Sequence, residues 1–97
     1  MNEDHRKRIN DSIRDLEEAL RLLGQPKPAA SVTERIKQTA QRLEPIIAHG
    51  KDLAIAWDVL GQVGAIDIDP TWMKQKKRVH IESALQSLRQ YLERSQD

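Results

Sequence analysis

At 97 residues with a net charge of +1, the chain is long enough for one small domain and too nearly neutral for a strongly acidic or basic tail. Leu, Ile and Val make up about a quarter of it, which argues against disorder, while 3% aromatics and no Phe disfavour a sheet-rich fold. There is no Cys, so disulfides, thiolate nucleophiles and thiolate metal sites are excluded.

The N-terminal run MNEDHRKRIN is mixed in charge and has no apolar stretch behind it, so no signal peptide is legible. No segment approaches the ~18 apolar residues needed to span a bilayer. The expectation is a single helical domain over 1–97 in the cytoplasm, away from membranes.

From about residue 4 to 23, Ile9, Ile13, Leu16, Leu20 and Leu23 step by four, three, four and three. On a helix they form a stripe about 80° wide, with Glu17 and Arg21 paired at i,i+4 on the opposite face. Gly24 is the expected C′ stop, and Gln25-Pro26-Lys27-Pro28 cannot continue the helix. Ser31-Val32-Thr33-Glu34 then reads as a capping box with Ser31 as N-cap. The second helix should occupy about residues 32–49. Its seam is Val32, Ile36, Leu43, Ile46 and Ile47, filled by Thr39 and Ala40. Pro45 should kink or break it near Gln41, and Gly50 should end it, with His49 favourably placed in the last turn.

The third segment, about 51–63, puts Leu53, Ala56, Trp57, Leu60, Val59 and Val63 on an arc about 160° wide, with Ile55 outside even that. The fourth opens on Asp69 as N-cap with Pro70 at N1 and runs to about residue 95. Ile81, Leu85, Leu88 and Leu92 form its later seam, widened by Ala84 and Tyr91. Projected backwards, that seam meets Lys74, Lys77 and Arg78, while Trp72 and Val79 point to the other side. The first turns of this helix therefore overhang, bend or meet a different neighbour. The fold class that follows is all-α, a small antiparallel three- to four-helix bundle with a long C-terminal helix.

Charge is uneven: residues 51–69 carry net −3 and residues 70–97 net +3. The run Lys74-Gln75-Lys76-Lys77-Arg78 could neutralise phosphates without reading sequence, or it could be a solvated face partly paired with Asp58, Asp67 and Asp69. Trp57 and Trp72 suit a core pair at the third-to-fourth helix connection, with Trp72 the better candidate for a partner anchor. The excess apolar arc of the third segment marks association.

Catalytic and metal patterns are not found. His5, His49 and His80 fall in different segments with no His-x₃-His or Glu-x-x-His spacing, so neither a metal nor another cofactor is expected. There is no Gly-rich phosphate loop and no nucleophile elbow. Ala48-His49-Gly50-Lys51 is similar over a few residues to the phospho-accepting motif of histidine phosphotransfer domains, which are four-helix bundles of this size. Here Gly directly follows His and the Lys falls one position early, so capping of a helix end is the reading taken for His49.

The functional expectation is a non-enzymatic protein–protein interaction module, self-associating as a homo-dimer. Its contact residues would be Ile55, Val59, Trp72 and Val79, and no small-molecule substrate is expected. The alternative is a small nucleic-acid-binding protein using Lys74, Lys76, Lys77 and Arg78.

Overall fold

The computed structural model describes residues 3–24, 30–65 and 70–94, with only the backbone described for Ala30, Ser31, Gly64, Ala65 and Pro70–Lys74. The elements are α1 (Glu3–Leu23), α2 (Ala30–Leu43), a 3-10 segment (Glu44–His49), α3 (Lys51–Ala65) and α4 (Pro70–Arg94). Among the described residues there is no strand. Each helix packs on the next and α1 closes on α4, giving a four-membered ring 43 Å long and 20 by 18 Å across.

Cross-helix contacts set the directions. Arg8 near the start of α1 donates to the Arg42 carbonyl near the end of α2 at 3.2 Å, and Asp15 is bonded by Arg35 and Arg42, so α1 and α2 are antiparallel. Asp52 at the start of α3 pairs with Arg94 at the end of α4 at 3.0 Å, which makes that pair antiparallel too. Short connections leave few other options.

The helix starts and stops follow local chemistry, with three departures from the sequence reading. α2 begins at Ala30, so Ser31 is already inside the helix instead of capping it. The α-helix then ends at Leu43, two residues beyond the expected break, and the chain tightens into the 3-10 segment. Pro45 has no N–H to give to the Gln41 carbonyl and disfavours α geometry at Glu44, but it is tolerated in the first turn of the new segment. Gly24 closes α1 through a bond from its N–H to the Arg21 carbonyl at 3.2 Å. No described glycine has positive φ, so that end is a tightened turn and not a left-handed cap.

Gly50 ends the 3-10 segment and opens α3. Its backbone is extended (φ −173°, ψ 148°) and its carbonyl accepts the Ala54 N–H at 3.2 Å, the conformation and bond expected at an N-cap.

The core is one cluster with contributions from all four helices, including Ile9, Leu16, Leu23, Ile36, Leu43, Leu53, Leu60, Ile81 and Leu88. The buried face of α1 is rotated from the predicted seam. Ser12 and Ala19 are fully buried, whereas Ile13 and Leu20 are half-buried against the core edge. The reason is that α1 sits between α2 and α4, and small side chains at the centre of the contact let its backbone approach both. Burying Ser12 and Thr39 requires that their hydroxyls be bonded, and each donates to the carbonyl one turn back, Arg8 and Arg35, at 2.8 Å. The α3 arc resolves similarly: Leu53, Ala56, Leu60 and Val63 are buried, while Trp57 and Val59 flank the core half-buried. Among the described residues no helix is long and apolar enough to cross a membrane.

Candidate interaction surface

The start of α4 is set apart by length. α3 has 15 residues and α4 has 25, and the two meet at the Asp52–Arg94 end. At 1.5 Å per residue the start of α4 therefore runs about 15 Å past the end of α3. Burial agrees: from Gln75 to His80 no residue is buried, and Ile81 is the first described residue of α4 that is. Over the residues whose side chains are described this fits an overhang, one of the three arrangements the sequence left open; the surroundings of Trp72 lie outside them.

On that overhang Val79 is 58% exposed, and Ile55 on α3 is 40% exposed; these are the large exposed aliphatics among the described residues. They do not form one patch. Ile55 lies three residues from Asp52 and Val79 fifteen from Arg94, so they are about 18 Å apart along the bundle axis. Val59 packs in part against the core. Trp72 and Lys74 lie outside the residues whose side chains are described. Of the basic run, Lys76 and Lys77 are half-buried and Arg78 is exposed. His80 donates from Nδ1 to the Lys76 carbonyl at 2.9 Å, since a carbonyl oxygen can only accept. Asp58, one of the expected partners of the lysines, accepts instead from Gln62 at 3.1 Å; Asp67 and Asp69 lie outside the described residues.

The α1–α2 face is built differently. Asp15 is held by Arg42 at 2.6 Å and Arg35 at 3.2 Å, and all three side chains are mostly covered. The Arg35 Nε atom is buried and finds no partner. This is a two-helix clasp whose charges serve the fold. On the outer face of α1, Arg21 pairs with Glu18 rather than Glu17, and Glu17 turns to Arg89 on α4 at 3.4 Å. The Arg21 guanidinium, through its hydrogen bond, holds the Glu18 carboxyl below its ordinary range, and Glu18 raises Arg21 in return. Both are open to solvent, so screening leaves little of this as stability. A shallow hollow along α1 is lined by Glu3, Arg6, Lys7, Asn10, Asp11 and Arg14, all from one helix.

One juxtaposition escaped the sequence reading. The His5 and His49 rings lie with centroids 4.5 Å apart, tilted by 53°. His49 stands in the last turn of the 3-10 segment, as the sequence predicts, and its ring also packs on that of His5. The two are 44 positions apart, and nothing local links them. Only the antiparallel pairing of α1 with α2, continued through the 3-10 segment, brings them together. Among the described residues no group of three or more His, Asp or Glu is placed to hold a metal ion. Comparison with protein families, characterised proteins and solved structures finds no match to this chain.

Proposed function

We propose that this chain is a non-enzymatic helical interaction module that associates with itself through the overhanging start of α4. The observation that carries the reading is the stretch Gln75–His80, a continuous helix in which no residue is fully buried and which presents Val79. An exposed helical turn with an aliphatic side chain between cations is suited to docking on another helix, with the charges governing orientation and encounter rate.

Size-exclusion chromatography with light scattering, at low and high salt, tests it, with tryptophan emission recorded on the same samples. The expected result is an associated species that Val79→Glu shifts to the monomer without loss of the helical circular dichroism signal. A parent that stays monomeric at the highest attainable concentration overturns the reading.

A second reading is kept because Arg78 is exposed beside Lys76 and Lys77. On it, Lys74, Lys76, Lys77 and Arg78 contact phosphates of a nucleic acid. It predicts a salt-sensitive gel shift that Lys74→Glu with Lys77→Glu removes, and no shift by the parent at low salt ends it.

A further inference from the structure

We infer that the start of α4 docks on the α3–α4 face of a second copy, with Val79 of each chain seated on Ile55 of the other about a two-fold axis. This rests on the self-association proposed above and names the surface that receives the overhang. Val79 and Ile55 are far apart along the bundle, yet they share a face. Asp52 pairs with Arg94, so these two positions mark the sides on which α3 and α4 meet. Ile55 lies three residues from Asp52 and Val79 fifteen from Arg94; at about 100° per residue, each stands about 60° round its helix from that seam. Both are exposed, so each is turned outward from the seam and not toward the core. One surface therefore carries both large exposed aliphatics among the described residues, about 18 Å apart along the axis.

Two spots on one face are covered together by a second copy of the same face. A two-fold axis in the plane of that face, across the midpoint of the line from Ile55 to Val79, lays each side chain on its counterpart and leaves neither exposed. The alternative, Val79 on Val79, covers only one of the two. It also brings together two runs of four cations, Lys74, Lys76, Lys77 and Arg78. In the exchanged arrangement each run lies over α3, whose charged residues are the cation Lys51 and the anions Asp52 and Asp58. Repulsion disfavours the first pairing, and complementary charge favours the second. The bundle is 20 by 18 Å across, so two such faces laid obliquely cover about 400 Å² on each copy, the size of a weak and reversible contact.

The chain has no cysteine, so introduced thiols report this contact alone. A disulfide needs Cα atoms within about 7 Å of each other. Ile55→Cys and Val79→Cys chains, mixed and oxidised, should give a cross-linked dimer containing one of each. Either variant by itself should stay uncross-linked, because like positions in the two-fold dimer are at least about 18 Å apart. Cross-linking of Val79→Cys with itself, or a mixture that yields no mixed dimer, overturns the inference. A ladder of species beyond the dimer would mean a head-to-tail contact and overturns it too. By light scattering, Ile55→Lys should shift the chain to the monomer as Val79→Glu does, with circular dichroism confirming that both variants fold. If Val79→Glu removes association and Ile55→Lys leaves it intact, the overhang associates but Ile55 is not its counterpart. If the parent is monomeric, both the association and its geometry fall.

Discussion

The two parts of α4 make the most instructive contrast in the molecule. From Ile81 to Leu92 the helix is bedded between α1 and α3, with Ile81, Ala84, Leu85 and Leu88 buried and Tyr91 and Leu92 half-buried on the core. From Gln75 to His80 the same helix has no fully buried residue, with Lys76, Lys77 and His80 half-buried and the rest exposed. Helix propensity does not separate them, because Lys, Gln and Arg are good helix formers and the overhang propagates from a turn already formed. What separates them is burial. Secondary structure can extend beyond the packing that stabilises it, and the extension is free to serve another purpose.

The largest expected effect breaks the packed half. Leu88 is fully buried, and Leu88→Ala removes three carbon atoms from the closed core. It should cost about 2–5 kcal/mol, a large share of what a domain of this size has to spare. Urea unfolding followed by circular dichroism measures it. If Leu88→Ala were as mild as a surface change, the assignment of this half to the core would be wrong.

Next comes the corner that anchors the packed half. A Cβ built on Gly50 would stand 2.5 Å from Tyr91 Cε2 and 2.9 Å from its Cδ2. The Gly50 backbone is extended and suits any residue, so the obstacle is the ring alone. Gly50→Ala should destabilise by about 1–3 kcal/mol. Combined with Tyr91→Leu, it should cost clearly less than the sum of the single changes, because the shorter side chain relieves the clash. Strict additivity in that cycle would show that the two residues do not meet.

The α1–α2 clasp is the electrostatic counterpart of the core. Asp15→Asn leaves Arg35 and Arg42 without their shared carboxylate at a partly covered site. The expected cost is about 1 kcal/mol, less than for a fully buried pair because solvent still screens these groups. Repeating the comparison in about 1 M salt should shrink the difference. A cost that ignores salt would mean that Asp15 acts through packing.

Most of the packed architecture was legible in the sequence, and the reasons are physical. Seams such as Ile81, Leu85 and Leu88 recur at helical spacing, and Gly50 and Pro70 mark ends whose chemistry is local. What could not be read depended on neighbours. Ser12 and Ala19 are buried because α1 lies between two helices, a fact absent from its own periodicity. Arg21 chose Glu18 over Glu17, a choice between side chains one residue apart. The His5–His49 contact needs the antiparallel register of α1 and α2 and the tight 3-10 turn at Pro45. At the candidate surface, the lack of fully buried residues from Gln75 to His80 follows from cations standing where the seam should continue. The distance separating Ile55 from Val79 was not, since it depends on the register of α3 against α4.

The smallest expected effect on stability completes the contrast within α4. Val79→Ser replaces an exposed aliphatic side chain by a small polar one of similar helix propensity. No buried contact is lost and no cavity forms, so unfolding should shift by no more than about 0.5 kcal/mol. Two residues on, Ile81→Ala, at a fully buried position, should cost several times as much. The pair of variants thus locates the boundary between the packed and overhanging parts of the helix. Association should reverse the order: at equal concentration Val79→Ser should weaken self-association, while the folded fraction of Ile81→Ala retains it. A Val79→Ser chain that unfolds as readily as Ile81→Ala would place Val79 in the core and remove the surface on which self-association rests.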